Sequence, residues 1–393
     1  MNILVANLGS TSFKYRLFRM EPADGEAVEI ARGGFERVTD YGPAIDEALQ
    51  ALREAGHLAA DATVDVVGFK TVLGRNLSGC VPADDACLAA LDGFAAIAPA
   101  HNPPYAAGIR AFRKKMPDAT LVALFETAFY QWVPEARQRY AVPEAWHEAG
   151  VRRYGFHGAS HKFIAEASAR TLGRDDIAGG VRRLYRDGPP SVDGPPLRVI
   201  SCHLGGSSSV TGIRNGVAIG TSMGLSPQSG LPQNNRVGDL DSSAVPYIAR
   251  ELGLDLPEIE RQLTKESGLL GVSGVSNDIR DVVEAAEAGN ERAQLALDLL
   301  VDSLRHWIGA FFFEMGGADA IVFTAGIGVN QTWLRARALE GLESLGIHVD
   351  PDANQTLRDD GAFHAAGSQV QLLVIDTNEE LVVAREAALL ASA

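Results

Sequence analysis

The stretch Asn7-Leu8-Gly9-Ser10-Thr11-Ser12 recurs 196 positions later as His203-Leu204-Gly205-Gly206-Ser207-Ser208, each time directly after a short apolar run. One chain therefore carries two copies of a strand-turn-strand loop. Glycines let backbone N–H groups converge, and Ser and Thr hydroxyls add donors, so each loop forms a concavity for anions. Two such loops facing each other would hold a nucleotide polyphosphate. The first leads into the alternating strand Phe13 to Phe18 and reads as a β-hairpin. The second leads into Val210 to Ile213, then Arg214-Asn215-Gly216 and Val217 to Ile219, with the Asn-Gly pair that signals a tight hairpin.

At 393 residues the chain suits two domains. No apolar run approaches the roughly 18 residues of a membrane span, and no basic region precedes the apolar Ile3 to Ala6. The net charge of −15 argues against nucleic acid and makes anion binding a matter of local donors. Cys80, Cys87 and Cys202 form no metal-like spacing and no disulfide framework, so a reducing, cytoplasmic setting is expected.

Strands alternate with helices in both halves, which implies an α/β fold. Expected elements are a helix near Tyr41 to Ala55, strands Val64 to Phe69 and Thr120 to Phe125, and a helix around Ala106 to Lys115. The second half repeats the plan: a strand at Leu197 to His203, helices at Ser242 to Leu252, Leu256 to Leu263 and Glu291 to Phe313, and a strand at Ala318 to Phe323. That last strand breaks into Thr324-Ala325-Gly326-Ile327-Gly328-Val329-Asn330, and loops after parallel strands are where such folds place ligands. The Gly- and Pro-rich piece Asp175 to Pro196 reads as a mobile surface insertion outside the core.

Arg152 to His161 concentrates arginines and histidines beside glycines in an acidic protein. His157 and His161 stand four apart, a zinc-ligand spacing on a helix, but no Glu follows His157 and no third ligand is evident. Charge stabilisation by His157 and a structural hydrogen bond from His161 are expected instead. Arg236 lies among turn residues in Gln233 to Asp241, where a fork of N–H donors suits a phosphoryl group in transfer.

With these motifs in order, the chain resembles the acetate kinase family of the sugar kinase, heat-shock ATPase and actin superfamily. The resemblance runs nearly end to end through NLGSTSFK, APAHNPP, LFETAFYQ, RRYGFHGASH, CHLGGSSS, TSMGLSPQSG, LTKESGLLG, FTAGIGVN and TNEEL. It implies a duplicated, two-domain ribonuclease H-like fold with a nucleotide cleft between the domains. One domain would span residues 1–149 plus 380–393 and the other 150–379. It implies reversible transfer of the ATP γ-phosphoryl to a short carboxylate, giving acyl phosphate and ADP, in a homodimer. By position, Asn7 and Glu379 would help hold Mg²⁺ or Mn²⁺, and Ser10, Ser12 and Lys14 would face the phosphates, with His203, Leu204, Gly205, Gly206 and Ser207 opposite. Asp278, Ile279 and Arg280 would border the adenosine, and Gly326, Ile327, Gly328, Val329 and Asn330 would wrap phosphates and ribose. Arg236 and His157 would stabilise the transferring group beside the catalytic carboxylate, Glu126.

The sequence departs from the family where chemistry is expected. The pattern G-H-R-V-V-H-G-G is here Gly68 to Arg75, so the substrate-binding arginine is Lys70, and Phe69 and Leu73 replace two histidines. Lysine loses the bidentate fork. Arg75 is the candidate for the missing guanidinium. The catalytic aspartate is Glu126, with Tyr130 for a histidine. Gly206 replaces an asparagine, Val329 a glutamate and Asn235 a threonine. Of the acyl-pocket residues Val72, Phe156 and Pro227 match, while Ala100 replaces a leucine and would admit a longer acid. A specialised kinase is the preferred reading. The alternatives are a non-catalytic nucleotide-binding sensor, motivated by Lys70, Glu126 and Gly206, and a kinase with another acceptor or donor, such as pyrophosphate.

Overall fold

The computed structural model describes residues 1–22, 25–59, 63–99 and 101–393. The first half builds a six-stranded sheet from β1 (Asn2–Gly9), β2 (Ser12–Met20), β3 (Ala27–Glu36), β4 (Val66–Thr71), β5 (Cys80–Pro82) and β6 (Thr120–Phe125), in the order β3-β2-β1-β4-β6-β5. The second builds another from β7 (Arg198–Leu204), β8 (Ser208–Arg214), β9 (Val217–Thr221), β10 (Ala320–Thr324), β11 (Gly361–Ala362) and β12 (Gln371–Val374), in the order β11-β12-β10-β7-β8-β9.

Read from the other edge, the second order is the first, strand for strand. In each sheet an antiparallel three-strand meander joins two parallel strands and a short antiparallel edge strand. The repeated loop of the sequence is thus the outward sign of a repeated ribonuclease H-like sheet. The turns differ by one residue: Gly9 pairs with Ser12, whereas Leu204 pairs with Ser208.

The parallel strands are buried on both faces and read as continuous apolar runs, as at Val122, Ala123, Leu124 and Phe125 and at Ala320 to Phe323. Helix Asn102–Lys115 covers one face of the first sheet, and helix Glu379–Ala391 covers the other, resting on β1, β4 and β6. A side chain at Gly68 would collide with Val383 of that last helix, 2.8 Å from its Cγ1. Gly68 lets the helix come down onto the sheet. The long helix Glu291–Met315 packs on the second sheet, with Leu297, Leu300, Leu304, Ile308 and Phe311 in its core.

The Asn215-Gly216 turn has positive φ at both residues, 53° and 77°, as a two-residue hairpin requires. A side chain at Gly216 would meet Val181 Cγ2 at 2.2 Å, because helix Asp175–Arg182 packs under the turn. This corrects the expectation for residues 175–196. The Gly-Pro-rich part begins only after a helical part whose Ile177, Ala178, Val181 and Leu184 are buried with Val199 and Ile213. Those four apolar residues lie at i, i+1, i+4 and i+7, a helical face that the glycines and prolines obscured.

Candidate active site

The C-terminal ends of β4 and β6 place two charges in the cleft. Lys70 lies on β4, and Glu126 follows β6 directly, with its N–H donating to the Thr71 carbonyl at 2.8 Å. Glu379, the first residue of the last helix, completes the cluster. Lys70 Nζ donates to the Glu379 carboxylate and stands 3.5 Å from Glu126 Oε1. Glu126 Oε2 is buried without a hydrogen-bond partner.

Burial pushes the Glu126 carboxyl up to about 7, the Lys70 ammonium pulling against it and the Glu379 charge adding to it. Burial opposes ionisation of Glu379 too, yet Lys70 and the neighbouring His203 hold it below its ordinary range. Lys70 would be lowered by burial, but the two carboxylates keep it well above an ordinary lysine. Asn7, at the end of β1, accepts from the Tyr105 hydroxyl at 3.2 Å.

The opposite wall is basic and aromatic. His157 adopts φ 59°, in the left-handed region, and caps helix Gly158–Thr171. The Gly158 N–H donates to the Glu126 carbonyl at 3.0 Å, and the nearby Ala159 N–H favours the ionised Glu126 carboxylate. A Cβ on residue 158 would fall 2.1 Å from that carbonyl, so only glycine permits the approach.

His157 Nδ1 and His161 Nε2 each lie 2.8 Å from Ser209 Oγ, and His161 Nδ1 lies 2.8 Å from Ser201 Oγ. His203 bonds Ser160 at 2.8 Å and stacks on His157 at 4.1 Å. One hydroxyl proton cannot serve two nitrogens, so the ring tautomers along this chain are linked. Burial lowers all three histidines, His203 to about 4. His157 is therefore held neutral, and His161 makes structural hydrogen bonds to Ser201 and Ser209.

Arg236 Nη1 reaches Ser207 Oγ at 3.2 Å, Pro227 O at 3.3 Å and Gln233 Oε1 at 3.3 Å. Its loop is clipped by Gly268, φ 61°, where a Cβ would lie 2.0 Å from the Gln233 carbonyl. Arg236 and Lys70 both depress His157 and His101, which brings the two cations to one cleft. Beside Arg236 opens a cavity of about 430 Å³, lined by Ile97, His101, Pro227, Asn235, Glu260 and Lys265 among others. Val72 and Phe156 pack with Leu73, Phe94, Tyr154 and Met223 into an apolar cluster. Ala100 lies outside the described residues.

The remaining expected residues lie at turns, strand starts and helix ends of the two halves. Ser10 is exposed at the first turn, and Ser12 opens β2. Lys14 lies 3.5 Å from Glu36 and shares a cavity of about 370 Å³ with Asn7. Leu204 is buried, and Gly205 exchanges hydrogen bonds with Ser208 Oγ. Asp278 caps helix Ile279–Glu287 through the Arg280 N–H at 2.9 Å and pairs with its guanidinium, while Ile279 is buried. Gly326, Ile327, Gly328, Val329 and Asn330 form the short helix Ala325–Asn330, entered through Ala325 at φ 63°.

Arg75 does not join Lys70. Its guanidinium donates to the Glu148 carbonyl at 2.6 Å and lines a separate crevice with Arg152 and Tyr130.

Sequence reasoning missed the residues that hold others in place. Arg335, fully buried, donates to the carbonyls of Gly328 and Val329 and to Asn354 at 2.6 to 3.1 Å, and so braces the Gly-rich turn. An arginine in an ordinary helical pattern carries no sign of this. Asn234 was also missed: a Cβ on Gly206 would sit 3.5 Å from its Nδ2, so an amide donor stands where the family's asparagine is absent.

The raised Glu126 carboxyl has a thermodynamic consequence. Relative to its ordinary 4.5, it contributes stability that is full below about 4.5 and lost as pH rises through about 7. Glu126→Gln should therefore match the protein near pH 4.5 and exceed it at pH 8 by on the order of 2–3 kcal/mol. Urea unfolding at the two pH values measures this, and a variant less stable at pH 8 would refute the assigned environment.

Comparison with known proteins agrees with the geometry. The acetokinase family model matches residues 26–181 and 190–385. The acetate kinase of Natranaerobius thermophilus is 38% identical over 98% of both chains, and that of Bacillus subtilis 36% over 99% of both. Among solved structures, Porphyromonas gingivalis acetate kinase superposes with a TM-score of 0.85 at 31% identity, and a propionate kinase from Francisella tularensis with 0.83 at 31%, each over 98% of both chains. With a family match over nearly its whole length and the duplicated sheet that frames the cleft, the chain belongs to the acetokinase family.

Proposed function

We propose that this protein transfers the γ-phosphoryl of ATP to a short-chain carboxylate, reversibly, and that it favours an acid larger than acetate. The observation that carries the reading is the convergence of Lys70, Arg236 and His157 on one cleft beside Glu126 and Glu379. A carboxylate oxygen attacks the γ-phosphorus and the bond to the ADP oxygen breaks. The acceptor is already ionised near neutral pH, so no base is needed. Catalysis reduces to positioning and charge stabilisation.

Arg236 donates to the equatorial oxygens, and neutral His157 adds an N–H whose basicity rises as phosphate charge enters. Lys70 holds the acceptor carboxylate at the head of the Val72, Phe156 and Pro227 pocket. Ser10, Ser12 and Lys14 from one hairpin and His203, Gly205, Gly206 and Ser207 from the other face the polyphosphate. Asp278 to Arg280 and Gly326 to Asn330 take the adenosine. Asn7, Glu379 and the partnerless Glu126 oxygen are hard donors that fit Mg²⁺ or Mn²⁺. Among the described residues no three His, Cys, Asp or Glu converge into a cage, so phosphate oxygens would complete the shell. Bound there, the ion neutralises charge on the phosphates. Closure between residues 1–149 with 380–393 and residues 150–379 would exclude water from the acyl phosphate. The three free thiols suit a reducing cytoplasm.

The Lys70 and Glu126 departures support a working site. Relative to the family's arginine and aspartate, lysine is one atom shorter and glutamate one methylene longer. The two changes offset each other, and their charged atoms meet at 3.5 Å. Lys70→Arg should lower kcat/KM by on the order of ten- to a hundredfold through misplacement. Lys70→Arg with Glu126→Asp should restore most of it. A double variant no better than the single would remove the argument.

For the larger acid, the support is the cavity of about 430 Å³ beside Arg236 and the buried Leu73 next to Phe156. Acyl phosphate trapped as hydroxamate, with ATP, Mg²⁺ and acetate, propionate or butyrate, tests it. Propionate or butyrate should give the highest kcat/KM, by several-fold per methylene at most. Acetate in first place would overturn the size preference. Silence with every acid would favour the nucleotide sensor or another acceptor.

The homodimer that the family resemblance implies also finds a face here. Helix Ala244–Leu252 buries none of its side chains, and Tyr247, Leu252 and Leu256 are more than half exposed. Light scattering at micromolar concentration should return twice the chain's 41.7 kDa, and a monomer mass would dismiss this assembly.

A further inference from the structure

Two helices that begin in the cleft run side by side behind it. Gly158–Thr171 rests on β7 and β10 of the second sheet, and Glu379–Ala391 on β1, β4 and β6 of the first. His157 stands at the start of one, whose first N–H, that of Gly158, donates to the Glu126 carbonyl. Glu379 opens the other.

Behind these ends the helices are joined by a buried ion pair. Lys162 Nζ lies 2.8 Å from Glu386 Oε1, and both side chains are only 3% exposed. The rise of a helix puts Lys162 about 7.5 Å behind His157 and Glu386 about 10.5 Å behind Glu379. Lys162 also reaches the Arg182 carbonyl at 3.4 Å and stands 5.2 Å from the Tyr185 ring centroid. Tyr185 in turn stacks on Trp132 at 6.1 Å. Arg385 flanks the pair, 3.4 Å from Glu166.

The residues that the two helices give to the apolar cluster here include Ala159, Ala384, Ala387 and Ala388, with Val382 and Val383, and Phe163 and Tyr185 pack against it. Alanine faces interlock weakly and allow one helix to slide or roll on another. A buried ion pair is a poor source of stability, because apolar side chains of similar volume commonly equal or exceed it. A directional charge pair holds one register.

We propose that Lys162 and Glu386 are positioning residues for phosphoryl transfer, fixing His157 and Glu126 on one helix end against Glu379 on the other. The role rests on the carboxylate kinase reading. Neither side chain touches substrate. Their contact joins the two halves and keeps the charges around Lys70 at working distance from Arg236 and His157.

The test compares Lys162→Met, Glu386→Met and the double variant. Each single change leaves a buried charge unpaired and should lower the melting temperature. The double variant should melt at or above the wild type, keep its KM for ATP within about twofold, and lose kcat by about tenfold or more, as a small misplacement at the reacting centre would. A double variant with wild-type kcat overturns the proposal. So does one whose lost kcat comes with a lower melting temperature, since that marks a plain structural role.

A readout free of turnover separates failure of the proposal from failure of the kinase reading. Hydrogen–deuterium exchange of the first-turn amides of helices Gly158–Thr171 and Glu379–Ala391 should rise when Lys162 and Glu386 are both methionine. If the wild type makes no acyl phosphate, the kinase reading falls, and this exchange decides whether the pair fixes the two helix ends. Unchanged exchange rejects that.

Discussion

One ammonium between two buried carboxylates organises this molecule. Lys70, Glu126 and Glu379 come from a strand, the residue after its neighbouring strand, and the first turn of the last helix. The set carries one negative charge too many for a dry site. Part of the excess is met by raising Glu126, while Lys70 holds Glu379 below its ordinary range. What remains is an oxygen without a partner, Glu126 Oε2, on the cleft side of the fold's strand ends. The packing of three elements keeps that shortage in place.

The duplicated sheets carry complementary equipment. The first half supplies the carboxylates and Lys70, and the second supplies histidines, Arg236 and the Gly-rich turn. Because the strand orders match, equivalent hairpins lie at equivalent places in each half. The serine-linked histidines give the second half a basic wall that is uncharged while the cleft is dry. Such a wall avoids the repulsion of imidazolium rings near Lys70 and Arg236 and keeps neutral N–H donors.

Changes that look like losses one at a time form pairs in space. Lys70 and Glu126 exchange an atom of length between them and remain in contact. Gly206 lacks an amide that Asn234, 28 residues on, brings to the same point. Arg75 reads along the chain as a replacement guanidinium but spends its donors on a distant carbonyl. Linear proximity to Lys70 is a poor guide, because the strand ends at Thr71 and Arg75 lies in the turn beyond it.

Read alone, the sequence determined the α/β class, the duplication, the Asn-Gly hairpin, the family and the identity of the candidate charged groups. Each of these is carried by local signals: alternation, helical spacing, turn glycines and ordered motifs. The tertiary structure decided which groups meet. It brought Glu379 to Lys70 across 309 positions, linked three histidines through Ser209, Ser201 and Ser160, and buried Arg335 beneath the Gly-rich turn. It also turned residues 175–187 from an apparent insertion into packed helix. Burial, pKa shifts and partnerless oxygens depend on neighbours distant in sequence, and no local pattern encodes them.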